Sequence, residues 1–265
     1  MINLGRSGCK IVLDNNVITK FSSSVSYNNR LLEQYNRQSN FRGQFFYTPK
    51  VFDFVDSEVL YNFKMHYVHH KNFNQFCNEG SVGEIGKLFE CIVSFIDHNF
   101  NCSYSTSISE KILADKINSL YTKNEEPYIK FLIENMIRKI PIGYCHGDFT
   151  ISNMLLSSEF YLIDFLDNIF DSPLFDLVKI RQDTYHKLYF MLSKYDYRSN
   201  ICLDKLDKLL LSKFEEQIHS HEYNCLAILN LLRMLPYMKK EKESIRIRQE
   251  LKKYETYITS RRKVN

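Results

Sequence analysis

The chain has 265 residues and is 44% hydrophobic, with 8 Gly and 5 Pro, which excludes a disordered or fibrous protein and leaves material for one large domain or two modest lobes. A formal charge of +4 is too mild to argue for nucleic acid, so no nucleic-acid partner is expected. The 7 cysteines are odd in number and show no CxxC spacing, which fits a reducing compartment better than a disulfide framework or a zinc site.

The opening MINLGRSGCK lacks the apolar core of a signal peptide. The most apolar late stretch, residues 225–238, is broken by Asn230, Arg233 and Pro236 and is too short and polar to span a bilayer. A cytoplasmic protein without a membrane span is the expectation.

In chain order, Gly5-Arg6-Ser7-Gly8 precedes a strand-like run at 9–13. Two glycines around Arg-Ser allow a tight turn whose backbone N–H groups can face phosphate, although most such turns are only turns. A second strand-like run, 17–21, follows the turn-type cluster Asp14-Asn15-Asn16. Residues 22–26 offer N-caps for a helix over 28–38. Strands are expected at 50–54, entered from Pro49, and at 59–65.

Beyond residue 80 the period becomes helical. Residues 84–98 carry Ile85, Leu88, Phe89, Ile92, Val93 and Ile96 as one apolar stripe. Residues 108–121 and 128–139 read as helices too. Two short strand-like pieces, 153–156 and 160–163, interrupt this pattern. Helices resume from about residue 174 to the C-terminus. The spacing therefore predicts an α+β chain: a small antiparallel β lobe and a larger, mainly helical lobe, joined near residues 65–73.

The chemistry concentrates in Tyr144-Cys145-His146-Gly147-Asp148-Phe149-Thr150-Ile151-Ser152-Asn153, followed by Tyr161-Leu162-Ile163-Asp164-Phe165. An acid follows His-Gly, an Asn comes five positions later, and a second acid ends an apolar run. Phosphoryl transfer from a nucleotide to a hydroxyl needs such a set: a carboxylate for the acceptor proton and oxygen ligands for Mg²⁺. Asp148 suits the first role. Asn153 and Asp164 suit the second. Any one of these residues alone has a plain reading as a turn or a strand end; the joint pattern does not.

The block resembles the aminoglycoside phosphotransferase and choline kinase group, the small-molecule branch of the protein-kinase-like fold. The likeness is most specific over residues 144–177, weaker over 5–70, and absent over 185–265. It implies a two-lobed protein-kinase-like fold, with residues 1–68 as the nucleotide-binding N-lobe and hinge. Residues 69–265 would form the helical C-lobe with the catalytic loop and the acceptor site. The implied reaction moves the γ-phosphoryl of ATP or GTP, with Mg²⁺, to a hydroxyl of a small molecule such as a sugar, amino sugar or amino alcohol.

Carried over residue by residue, the resemblance makes Asp148 the catalytic base and Asn153 and Asp164 the magnesium ligands. His146 would support the catalytic loop rather than shuttle protons. Asp176 would brace that loop, beside its plain role as an acid at a helix N-terminus. Gly5, Ser7 and Gly8 would face the nucleotide phosphates. Lys20 stands where the fold keeps its phosphate-binding lysine, and Glu33 in the next helix is its expected partner. Backbone groups of His66 and Val68 would meet the nucleobase edge.

The departures from the wider fold narrow the substrate. Gly147 stands where protein kinases usually have Arg, Asp164-Phe165-Leu166 replaces Asp-Phe-Gly, and eleven residues separate Asp164 from the point where that span ends at Asp176. That leaves little room for a peptide platform and favours a small acceptor. Asp167, Asp171 and Asp183 could give an acceptor pocket some carboxylate, but the basic last hundred residues make an aminoglycoside less favoured. Residues 239–263 carry ten Lys/Arg against four Glu. They read as a solvated helix docking through Leu251, Tyr254 and Ile258 rather than as a polyanion-binding tail. Two other function classes stay open: a catalytically inactive, nucleotide-binding regulatory protein, and an atypical protein kinase. Nothing in the residues sets the oligomeric state.

Overall fold

A computed structural model describes residues 2–4, 9–57, 59–120, 125–191 and 193–262. In chain order the elements are β1 (Ile2–Leu4), β2 (Lys10–Asp14), β3 (Val17–Phe21), α1 (Asn28–Asn40), β4 (Val51–Val55), β5 (Asn62–His66), α2 (Phe73–Glu79) and α3 (Val82–Asn101). There follow β6 (Tyr104–Ser107), α4 (Glu110–Asn118), α5 (Glu126–Glu134), β7 (Lys139–Ile142), β8 (Met154–Leu156) and β9 (Phe160–Leu162). The remainder is helical: α6 (Pro173–Thr184), α7 (Tyr197–Lys213), α8 (Glu215–His219), α9 (His221–Met234), α10 (Glu241–Lys252) and α11 (Glu255–Arg262).

The chain divides into two compact units. The first comprises residues 1–98, 146–168 and 196–202; the second comprises 99–145, 169–195 and 203–265.

In the first unit an antiparallel sheet runs β1-β2-β3-β5-β4. The β2–β3 hairpin closes through Asn15 and Asn16 with φ of 44° and 62°, and pairs Asp14 with Val17. Two successive positive φ values are what a tight two-residue hairpin requires, and Asn tolerates them. Helix α1 covers the sheet, where Leu31, Phe63 and Met65 form the buried centre against Ile18, Tyr35, Val51 and Phe54. The buried face of α1 is otherwise built of amides: Asn28, Gln34 and Gln38 lie inward with Leu31. Each amide has a job. Asn28 accepts from the Tyr61 N–H at 3.1 Å, and Gln38 Nε2 donates to the Pro49 carbonyl at 3.0 Å.

A second core of this unit lies under the 146–168 segment. Phe95 stacks on Phe149 with centroids 4.7 Å apart, and Phe46 meets both rings edge-on. The β8–β9 hairpin is tied in by backbone bonds, Tyr47 N to Phe160 O at 2.9 Å and Lys71 N to Leu156 O at 2.8 Å. The loop that follows β9 is thereby fixed.

The second unit is centred on α9, where Leu226, Ile228, Leu229, Leu231 and Leu232 are all buried. This is the stretch whose polarity excluded a membrane span, and it is a core helix. No helix among the described residues is long and apolar enough to cross a membrane. Leu251, Tyr254 and Ile258 are buried in this unit, so the basic C-terminal helices do dock through them. One expected helix is shorter than its period suggested. The run from 128 to 139 ends at Glu134, capped by Asn135, and Lys139–Ile142 pairs with Tyr104–Ser107 as a two-stranded ribbon. Pro141 sits in that ribbon, which has only edge strands and so spares it a missing ladder bond.

Candidate active site

The site residues on β3, α1 and the 146–164 segment all belong to the first unit. Lys20 is held in mid-strand, opposite Ile11 on one side and Phe63 on the other. It is 3% exposed. A buried ammonium needs partners, and Lys20 has two. Its Nζ donates to Asp164 Oδ1 at 2.6 Å and to Gln34 Oε1 at 2.7 Å. Burial works to lower its pKa, but the charge of Asp164 and the hydrogen bond to it outweigh burial and hold the pKa above the usual lysine value.

The expected partner, Glu33, is not the one used. Glu33 is exposed, and its neighbour Gln34 takes the inward position. One residue along an α-helix turns the side chain by about 100°, so the face that carries Leu31 and Gln38 also carries Gln34 and turns Glu33 outward.

The catalytic loop is built around His146, which is fully buried. Its Nδ1 accepts from the Asp148 N–H at 3.2 Å and its Nε2 reaches the Ile163 carbonyl at 3.0 Å. Accepting at one nitrogen and donating at the other requires a neutral ring with its proton on Nε2. Burial pushes the pKa down to about 4, against the opposing pull of Asp148 and Ile163. The imidazole thus ties two chain segments together.

Gly147 has φ of 86°, and a Cβ there would lie 2.0 Å from the Leu166 carbonyl oxygen. Only glycine meets both conditions. Leu166 N in turn donates to the His146 carbonyl at 3.0 Å, and Asn168 Nδ2 to the Gly147 carbonyl at 3.2 Å. The loop and the segment after Asp164 are laced together at this glycine.

Residues 151–153 make one 3₁₀ turn, with Asn153 N donating to the Thr150 carbonyl at 3.1 Å. The turn folds Asn153 back over Asp148. Its Nδ2 donates to the Asp148 carbonyl at 2.9 Å and to Asp148 Oδ2 at 3.0 Å. The amide nitrogen is therefore engaged, and the amide oxygen faces away from that contact. Ile163 N donates to the Asn153 carbonyl at 3.1 Å, which brings the following residue, Asp164, beside Asn153. Asp164 has φ of 61°, a conformation that costs a non-glycine residue about 1 kcal/mol and persists where surrounding bonds impose it.

Among the described residues no three His, Cys, Asp or Glu side chains gather as a metal site. Magnesium does not need such a cage. It takes one or two protein oxygens and completes its shell with phosphate and water. The Asn153 amide oxygen and the Asp164 carboxylate, whose side chain is 40% exposed, are hard oxygen donors of the right kind.

The remaining expected residues fall as follows. Gly5, Ser7 and Gly8 lie outside the described residues; the strands flanking them pair, Leu4 opposite Lys10. The His66 N–H donates to the Lys50 carbonyl at 3.0 Å, so of the His66 backbone groups expected at a nucleobase edge this one is engaged within the first unit. The Val68 carbonyl accepts from His70 Nδ1 at 2.7 Å. Asp176 is completely buried in the first turn of α6, behind the Ser172 N-cap, in the second unit. Asp183 is buried there as well, while Asp167 is exposed. Gln34 was the residue missed. Its inward register with Leu31 and Gln38 was the available signal.

No family model matches the sequence, and no curated protein matches it. Solved structures do. Aminoglycoside phosphotransferase APH(4)-Ia, as a thermostable mutant in a ternary complex with ADP and hygromycin B, is similar at a TM-score of 0.60 and 11% identity, over 95% of this chain and 92% of that one. The gentamicin complex of APH(2″)-IIa gives 0.61 and 15%, over 94% and 89%. A candidate fructosamine-3-kinase from Haemophilus somnus 129PT gives 0.55 and 11%, over 94% and 90%. At such identities the likeness shows the fold: the chain has the two-lobed protein-kinase-like fold of these phosphotransferases, with a small antiparallel sheet and a mainly helical remainder.

Proposed function

We propose that this protein is a magnesium-dependent phosphotransferase that moves the γ-phosphoryl group of ATP or GTP to a hydroxyl of a small molecule. One observation carries the reading. Asp148 and Asn153 are bonded to each other at 3.0 Å, while Lys20 and Asp164, from distant parts of the chain, are paired at 2.6 Å in the same unit. A carboxylate for the acceptor, a buried cation for phosphate and two oxygen donors for Mg²⁺ are the parts that phosphoryl transfer uses.

In this reading Asp148 accepts the hydrogen bond of the acceptor hydroxyl and takes its proton late in the transfer. Its Asn153 contact aims the carboxylate. Lys20 turns its charge toward the nucleotide phosphates. Asn153 and Asp164 would hold Mg²⁺, which supplies charge neutralisation for the phosphates. His146, neutral and bonded at both nitrogens, keeps the loop in shape. Residues 1–68 would serve as the nucleotide-binding lobe, with Gly5, Ser7 and Gly8 toward the phosphates and Val68 in the hinge. The remainder, 69–265, would carry the catalytic loop and the acceptor site.

Two of the similar enzymes named above, APH(4)-Ia and APH(2″)-IIa, were solved with hygromycin B and with gentamicin. For this chain the acceptor class is a sugar, amino sugar or amino alcohol. The test is a thermal shift with Mg²⁺–ATP and Mg²⁺–GTP, followed by nucleotide turnover across a panel of such hydroxyl compounds. Stabilisation by one nucleotide and acceptor-dependent turnover are expected. Binding without transfer across a broad panel would instead indicate a nucleotide-binding regulatory protein, and label entering protein would indicate a protein kinase.

A further inference from the structure

The segment after β5 spends most of its backbone groups inside the first unit. The His66 N–H donates to the Lys50 carbonyl at 3.0 Å, the Tyr67 N–H to the Asn16 carbonyl at 2.8 Å and the Lys71 N–H to the Leu156 carbonyl at 2.8 Å. These bonds pin the segment at both ends. Between them the Val68 carbonyl accepts from His70 Nδ1 at 2.7 Å. A carbonyl only accepts, so the His70 proton stands on Nδ1. The His70 ring also meets the Tyr67 ring edge-on, with centroids 6.2 Å apart. The Val68 N–H makes no hydrogen bond among the described residues. Val68 thus offers a donor, while its acceptor is taken.

The two purines place opposite demands on such an edge. Adenine presents its N6 amino group as a donor and N1 as an acceptor. Guanine presents O6 as an acceptor and N1–H as a donor, with a further donor at N2. An adenine lying against this segment gives N6–H to the His66 carbonyl and takes the Val68 N–H at N1. Guanine in the same place would set O6 against the His66 carbonyl and N1–H against the Val68 N–H, two repulsive contacts. It escapes them by sliding along the edge, so that O6 takes the Val68 N–H and N1–H reaches the Val68 carbonyl. That carbonyl is the one His70 occupies. Guanine must displace the imidazole or share the oxygen with it, and either way part of a hydrogen bond is lost.

We propose that His70, by capping the Val68 carbonyl, makes ATP rather than GTP the phosphoryl donor of this protein. This rests on the phosphotransferase reading of the site, which puts the backbone of His66 and Val68 at the nucleobase edge. His70 adds no contact to adenine; it denies guanine an acceptor. Selectivity then comes from an obstacle to the wrong ligand, not from a stronger hold on the right one. One hydrogen bond lost or shared in this way corresponds to roughly tenfold in an equilibrium.

The experiment is calorimetric titration of the full-length protein, with Mg²⁺, by ATP, GTP, inosine triphosphate and 2,6-diaminopurine riboside triphosphate, for the wild type, His70→Ala and His70→Phe. Inosine has the O6 and N1–H edge of guanine without the C2 amino group; diaminopurine has the adenine edge with that group added. The wild type is expected to bind ATP and the diaminopurine nucleotide about tenfold more tightly than GTP and the inosine nucleotide. Both variants lack the donor and should close most of that gap by gaining affinity for GTP and the inosine nucleotide. Equal or tighter binding of GTP by the wild type would overturn the proposal, as would a gap unchanged in His70→Ala. A gap closed in His70→Ala but kept in His70→Phe would assign the effect to ring bulk and overturn the hydrogen-bond cap. Rejection of the diaminopurine nucleotide with acceptance of the inosine nucleotide would assign it to the C2 amino group and overturn it too. Binding of none of the four would overturn the phosphotransferase reading itself, and the role of His70 with it. If His70→Ala does not fold, His70→Phe decides alone, and an unchanged gap there contradicts the proposal.

Discussion

Lys20 and Asp164 stand 144 residues apart in the chain and 2.6 Å apart in the fold. One comes from the middle of β3 and the other from the turn that follows β9. The pair closes the first unit upon itself, because the turn is held by Asn153 and the strand by its neighbours in the sheet. Replacing Asp164 by Ala should leave a buried ammonium with a single neutral partner. The expected cost is about 1–2 kcal/mol, below the range for fully buried pairs because the Asp164 side chain is partly open to water. Urea denaturation of Asp164→Ala against the wild type measures it, and the same variant should lose the Mg²⁺-dependent part of nucleotide binding.

Gly147→Ala should be among the most damaging single-carbon changes in the chain. The added Cβ meets a backbone carbonyl at 2.0 Å in a left-handed conformation. The backbone term alone is about 1–2 kcal/mol, and the forced shift of the Leu166 carbonyl adds to it. A fall in midpoint denaturant concentration of that size, with an unchanged slope, is the expected outcome. A melting curve identical to the wild type would show that the loop relaxes freely, contrary to the lacing seen here.

His146 makes stability depend on pH in a set direction. Its folded pKa, about 4, lies below the ordinary value of 6.5, so the unfolded chain binds the extra proton more readily. The contribution is fully present above pH 6.5 and is lost as pH falls toward 4. At pH 5 the loss relative to pH 8 should be of the order of 2 kcal/mol. His146→Gln should be less stable at pH 8 and should show a shallower decline between pH 6.5 and 5. Denaturation at four pH values separates the two slopes. Parallel slopes would place the acid sensitivity elsewhere, His186 being the other buried histidine whose pKa is lowered by burial.

In the second unit, Arg181 is clasped by Asp207 through two parallel bonds, Nε to Oδ1 at 3.0 Å and Nη2 to Oδ2 at 3.2 Å, and donates from Nη1 to the Tyr223 hydroxyl at 3.1 Å. Thr184 adds a bond to Asp207 at 2.8 Å. Asp207→Ala strands a buried guanidinium, and a loss of about 3 kcal/mol is expected. Asp207→Ala combined with Arg181→Met should recover part of it, since no unpaired charge remains. Differential scanning calorimetry of the two variants checks the order.

Much of this fold lies open in the sequence because its signals are local. Asn15-Asn16 between two β-rich runs dictates a hairpin by backbone preference alone, and the 3.6-residue stripe over Ile85, Leu88, Ile92 and Ile96 fixes a buried helix face. The spacing of Asp148, Asn153 and Asp164 was legible for the same reason: one 3₁₀ turn and one hairpin bring them together. Two features were not. Glu33 and Gln34 are adjacent polar residues, and which one faces inward depends on the rotation of α1 against the sheet, a tertiary quantity. The β6–β7 ribbon was hidden because the apolar period of α5 runs on past Asn135 into Ile137 and Ile140, both buried, though from a loop and a strand. Burial is the same for either backbone, so apolar pattern alone does not separate them.

The central claim is that Asp148 takes the acceptor proton in a nucleotide-dependent transfer. It is tested most directly by single-turnover transfer of the labelled γ-phosphoryl group from ATP or GTP to an accepted hydroxyl compound, comparing the wild type with Asp148→Asn. Nucleotide affinity should be unchanged within about twofold, while the transfer rate should fall by a factor of roughly 10²–10⁴, the usual worth of a positioned general base. Transfer at the wild-type rate by Asp148→Asn would contradict the account.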